Sequence, residues 1–297
     1  MNFVSEIPKM DKEVAKTEKK TVKNREKIEH KSYSFVDKML KKCGVSNEQK
    51  RKRIGGKISV ILFAVGITAW VWLALNICIW VTQLILSWEP VTGALRKATN
   101  KTLLELVLEA IIYLAALLVT IFLPWCIFSK KHPSVKTTRN EMGLRGLPTW
   151  TDILLAVVGY IVSALVGGLL LMIGQALIPG IDWSASQEVG FKSIMNSHDM
   201  IMAFIALALV APICEELIFR GWLYGKLRAK ISALPAILLV SFLFGLVHGQ
   251  WNVGVVVFCM SVATCLIREL TGTIYGGILV HIIRNAIAFY GLFVLGL

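Results

Sequence analysis

The chain has 297 residues, 56% of them hydrophobic, a mean hydropathy of +0.66 and a formal net charge of +13. A water-soluble domain is seldom so apolar, so these values exclude an ordinary soluble enzyme and point to a chain embedded in a bilayer. The positive charge gathers at one end, where residues 1–57 hold 17 Lys/Arg against 8 Asp/Glu, and the lack of aromatic interleaving or a binding module there excludes nucleic acid as a partner.

In chain order, residues 1–57 read as a basic, solvated N-terminal segment, partly helical or disordered. Lys41–Lys42 and the KRKR run at 50–53 would attract anionic lipid beside the first span. The first apolar run begins near 58, too late and too long for a cleaved leader. Runs at 58–86, 103–128 and 153–179 are each long enough to cross about 30 Å of hydrocarbon. Four more follow, at 200–225, 234–249, 251–267 and 273–296, the fifth and sixth separated by only a brief polar break. The fold class is therefore all-α: a polytopic transmembrane bundle of about seven spans, six to eight fitting the pattern. Three parts are expected: the basic segment 1–57, two spans with a loop over 58–150, and a membrane core over 151–297.

Loop charges orient the bundle. The basic N-terminus and the loop at 129–151 belong to the cytoplasm, as do the turns marked by Lys226, Arg228 and Lys230 and by Arg268; the acidic loop at 180–199 belongs outside. Trp88, Trp125, Trp150, Trp183, Trp222 and Trp251 fall near span ends, where interfacial anchors sit. Gly167, Gly168 and Gly174 would allow close helix contact. The six cysteines contain no CxxC and read as reduced packing residues.

The polar residues inside the last four spans carry the chemistry. "APICEELIFRGW" (211–222) puts Glu215 and Glu216 in an otherwise apolar run, at a cost of about 2.5–3.5 kcal/mol per carboxylate on insertion scales. Glu216 and Arg220 are four apart and can pair; Glu215 lies about 100° around the helix and is left for other work. In "FLFGLVHGQ", Phe244 and His248 share a face one turn apart; in "ILVHIIRNAIAF", His281 and Asn285 do the same. Counted at 1.5 Å per residue from the two cytoplasmic turns, Glu215 lies about 16 Å deep, His248 about 21 Å, His281 about 12 Å and Asn285 about 18 Å. Four polar groups from three helices thus converge on one layer. A carboxylate and an imidazole can hold and deprotonate a water, while a second imidazole and an amide can donate to a developing oxyanion. That is a route to peptide hydrolysis without a nucleophilic serine or cysteine.

At these residues the sequence resembles the CAAX-protease and bacteriocin-processing (Abi, CPBP) family of intramembrane glutamic endopeptidases. Its three motifs stand here as "EELIFR" (215–220), "FGLVH" (244–248) and "HIIRN" (281–285), with "TG" at 271–272 also family-like. The resemblance covers about 211–286. It implies that Glu215 activates water with His248, that His281 and Asn285 form the oxyanion hole, and that Glu216, Arg220 and Phe244 support the site. The implied substrate is a membrane-associated protein or peptide. The short loops and small size point to the bacterial branch, whose members process membrane or peptide substrates or act in bacteriocin immunity, and so to a bacterial cell membrane. Arg284, beside Asn285, would reach a carboxylate or the interface. No cofactor is expected on this reading.

Three rivals follow from the same residues. Glu215, His248 and His281 are a conceivable zinc set with an open position for water, although no HExxH helix is present. A non-catalytic scaffold or immunity protein would use the polar cluster for structure alone. A transporter or proton relay also buries acids and histidines, but repeated halves and paired broken helices are missing.

Overall fold

The structure, a computed structural model, describes residues 37–97, 101–128, 137–185 and 197–296. Residues 1–36, most of the expected basic segment, lie outside the described residues. Every regular element among the described residues is helical. Helix α1 is Glu48–Ser87 and α2 is Glu89–Arg96. Helix α3 begins as Lys101–Leu117, widens into a π-helical turn at Leu118–Phe122 and ends as Leu123–Phe128. Then come α4 (Trp150–Leu177), α5 (Ser197–Arg228), α6 (Ala233–Leu246), α7 (Trp251–Thr271) and α8 (Tyr275–Tyr290), the last extended by a π turn at Gly291–Leu295.

Six of these helices, α1, α3, α4, α5, α7 and α8, are long and apolar enough to cross a membrane. The fifth expected span is the exception: α6 has 14 residues, about 21 Å at helical rise, against about 30 Å of hydrocarbon. The apolar run at 234–249 loses its last turn because the chain unwinds at Val247. Exposed leucines, isoleucines and valines cover α1, α3 and α4, an outer surface suited to lipid.

The chain falls into two compact units, Met1–Gly66 with Leu123–Thr137, and Ile67–Phe122 with Thr138–Leu297. In the first, helix α1 starts ten residues earlier than the apolar run, since Glu, Gln, Lys and Arg all favour helix and Asn47 Oδ1 accepts from the Lys50 N–H at the helix start. The KRKR run is therefore helical. Within it, Arg51 is already engaged, bonding Asp37 at 2.9 Å and the carbonyls of Val45 and Ser46.

In the second unit, α4 packs along α7 and α8, α6 pairs with α7, and α8 lies on α5. Thr149 and Asp152 form a reciprocal capping box at the start of α4, and the other Asp152 oxygen accepts from Thr273 at 2.9 Å. This ties α4 to the turn before α8. That turn contains the "TG" pair: Gly272 takes φ +69° to cap α7, a backbone state that favours glycine. At the α6–α7 crossing, a Cβ on Gly245 would lie 2.8 Å from the Gly254 carbonyl oxygen, so two glycines permit backbone contact. Glu269 of α7 accepts from Arg228 at 2.8 Å and from Tyr224 at 2.7 Å, which sets the end of α5 level with the end of α7. The α6–α7 hairpin therefore goes out and returns.

Some expectations need correction. Trp222 is buried at 3% exposure and belongs to the interior, whereas Trp88, Trp125, Trp150 and Trp251 are exposed. Arg268 is not a solvated turn charge: it is buried and donates to the carbonyls of Gly221 and Glu141. Gly167 faces the α7 backbone at Val256 and Gly174 receives the Trp183 ring, but Gly168 faces open space.

Candidate active site

Helix α5 carries the acidic pair between two stretches of wider winding. It is π-helical at Ile205–Val210, α-helical at Ala211–Glu216 and π-helical again at Leu217–Tyr224; such segments are uncommon and often mark functional sites. Proline explains part of the geometry. The Ala211 N–H donates to Ala206 O, five residues back. The next donor in that register would come from residue 212, which is proline and has no N–H. The Leu207 carbonyl it would have served accepts instead from Asn285 Nδ2 of α8, at 2.9 Å.

The pairing read from the sequence is present. Arg220 Nη1 lies 2.9 Å from Glu216 Oε1, with both side chains fully buried. The guanidinium also sits over the Phe244 ring, 4.3 Å from its centroid, a placement that favours a cation. Phe244 is a hub: its ring meets Phe219, His248 and His281 edge-on at centroid distances of 4.9, 5.0 and 5.7 Å. Glu216 Oε1 also faces His281 Nδ1 at 3.1 Å. The carboxylate reaches α8 because residue 277 is glycine; a Cβ there would fall 2.9 Å from Glu216 Oε2.

Glu215 is partly buried, and its two oxygens have different neighbours. Oε1 accepts from the Tyr113 hydroxyl of α3 at 2.8 Å. Oε2 has no hydrogen-bond partner and lies 3.7 Å from His281 Nε2. The His281 ring, itself 2% exposed, thus stands between the two carboxylates.

His248 departs from the expected picture. It meets Phe244 as the four-residue spacing implies, but from the turn just after α6, where helix-end carbonyls lack intrahelical partners, and not from the helix itself. Its Nδ1 is 2.7 Å from Phe244 O. A carbonyl only accepts, so Nδ1 carries the proton, and in the neutral ring the Nε2 lone pair is free. Asn285 has both ends of its amide engaged, Nδ2 on Leu207 O and Oδ1 accepting from Arg284 at 3.0 Å. Arg284 thus turns back onto its neighbour.

The structure joins Glu215, Glu216, Arg220, Phe244 and His281 by direct contact. It adds His248 through Phe244 and holds Asn285 one turn beyond His281. Tyr113 was not foreseen; it lies 102 residues before its partner, and no periodicity links them. Among the described residues, no group of three or more His, Cys, Asp or Glu side chains has the arrangement of a metal cage.

Residues 197–287 match the family described as type II CAAX prenyl endopeptidase Rce1-like. The matched stretch runs from the first residue of α5 into α8 and holds all three motifs, and the family it matches is the one those motifs resemble. No curated protein and no solved structure matches the chain.

Proposed function

We propose that the protein is an intramembrane endopeptidase that hydrolyses a peptide bond of a membrane-associated protein or peptide with a water activated by Glu215 and His248. The observation that carries this reading is the His281 ring between the Glu215 and Glu216 carboxylates, at 3.7 and 3.1 Å, inside an apolar bundle. Buried acids are costly in a membrane and collect where chemistry or transport needs them. The matched family supports CAAX-type endopeptidase activity in general.

In this reading, water sits between the free Glu215 oxygen and His248 Nε2. Glu215 takes its proton as the oxygen attacks the scissile carbonyl carbon, then returns the proton to the departing amine. His281 acts in its imidazolium form, held between the two carboxylates: it donates from Nδ1 to Glu216 and offers its Nε2–H to the developing oxyanion, and Asn285 lends the second N–H of its amide. Glu216 and Arg220 hold His281 in register without touching the substrate. Pre-set donors in a low-dielectric site supply several kcal/mol without reorganisation; loss of one costs about 2.7–4 kcal/mol.

The test uses the full-length protein in liposomes and a farnesylated peptide ending in a CaaX sequence, with cleavage followed by mass spectrometry. Glu215→Gln, His248→Ala and His281→Ala should each reduce turnover by at least about 100-fold while remaining folded. Full cleavage by Glu215→Gln would remove that residue as the base. Cleavage abolished by excess chelator and restored by zinc would replace the reading with the metal-dependent one.

A further inference from the structure

Tyr113 belongs to α3, outside the matched segment 197–287. It lies near the middle of the apolar span Thr102–Ile127. Tyrosine ordinarily collects at the membrane–water boundary, and a phenol in the middle of a span needs a hydrogen-bond acceptor. The acceptor here is Glu215 Oε1, at 2.8 Å. A carboxylate rotates freely about its last bond until one oxygen is fixed, and an O–H donor to a charged acceptor is among the stronger tethers. With Oε1 so held, Oε2 keeps no hydrogen-bond partner and faces His281. The wider winding of α5 on both sides of Ala211–Glu216 leaves this orientation to partners outside the helix.

We infer that Tyr113 is a positioning residue of the hydrolytic site: its hydroxyl pins one oxygen of Glu215 so that the other is presented to the reacting water. The inference rests on the endopeptidase reading. It also gives α3 a part in the site, which is then completed by a helix that the three motifs do not include.

Tyr113→Phe keeps the ring and removes the tether. In the liposome assay with the farnesylated peptide, kcat should fall about 10- to 100-fold, the scale of a small misalignment of reacting groups, with KM within twofold of wild type and the fold retained. A second readout is the infrared carboxylate band assigned to Glu215 by difference against Glu215→Gln; it should move in Tyr113→Phe. Wild-type turnover in Tyr113→Phe, a rise in KM alone, or a band that stays in place would overturn the inference and leave the endopeptidase reading standing. Absence of cleavage by wild type would overturn both. Should Tyr113→Phe fail to fold, 3,5-difluorotyrosine at position 113 retains the ring and hydroxyl but alters donor strength. A changed kcat at constant KM then supports the tether, and an unchanged kcat refutes it.

Discussion

Arg220 and the Glu216 carboxylate are both fully buried, 2.9 Å apart, while Glu215 next door is partly open and bonded to a phenol. Adjacent identical residues therefore face different consequences on substitution. Removing one member of a buried ion pair leaves the other charged and unpaired, at a cost of about 3–5 kcal/mol. Glu216→Ala should accordingly lose most of its thermal stability in detergent, Arg220 being stranded over the Phe244 ring. Glu215→Gln keeps an acceptor for Tyr113 and should stay within about 1 kcal/mol of wild type, its loss being catalytic. A thermal shift of equal size in both variants would contradict this division. Residue spacing revealed the Glu216–Arg220 pair, because four positions is one helical turn. It could not reveal Tyr113, whose contact depends on how two distant helices pack.

At the scale of elements, the unusual winding of α5 and the Asn285 amide answer one another. Pro212 supplies no N–H, and Asn285 donates to Leu207 O in its stead. An unsatisfied carbonyl within the bundle costs about 1–3 kcal/mol, so Asn285→Ala should be destabilised by that amount in addition to any effect on turnover. Pro212→Ala returns a backbone donor to the helix. The stabilisation it brings should be about 1 kcal/mol larger in the Asn285→Ala background than in wild type, as read from a double-mutant cycle of unfolding free energies. Equal gains in both backgrounds would show that proline and amide are not coupled. The sequence marked α5 as a membrane helix but not its π turns, since a uniformly apolar run carries no periodicity from which winding can be read. The same uniformity hid the burial of Trp222, and it concealed where α6 stops and His248 leaves the helix.

For the whole molecule, two sets of contacts define which turns share a level. Glu269 holds Arg228 at 2.8 Å. Asp152 accepts from Thr273, and Gly146 O accepts from Tyr275. The turns around 147, 230 and 272 therefore lie at one end of the helices, with the 178–185 turn at the other end of α4. In a background with all six cysteines replaced, Leu147→Cys and Lys230→Cys should react with an impermeant thiol reagent from one side of sealed vesicles, and Asp182→Cys from the opposite side. Lys230→Cys reacting from the side of Asp182→Cys would refute the hairpin path of α6 and α7. The number of long helices and their boundaries were largely readable from hydropathy, because burial in lipid demands apolar length. The pairing of helices was not, as every apolar face is equally content against lipid or protein.

Gly277 has a bearing beyond this chain. Its missing methyl is what lets the Glu216 carboxylate rest against the backbone of α8, since a Cβ would stand 2.9 Å from Oε2. It is one turn ahead of His281, on the same stripe as Asn285. In this chain the last motif therefore reads G-x-x-x-H-x-x-x-N, with a bare α-carbon as its first letter. A sequence that keeps the acids, histidines and amide but bears a larger side chain there must hold its second glutamate in some other pose.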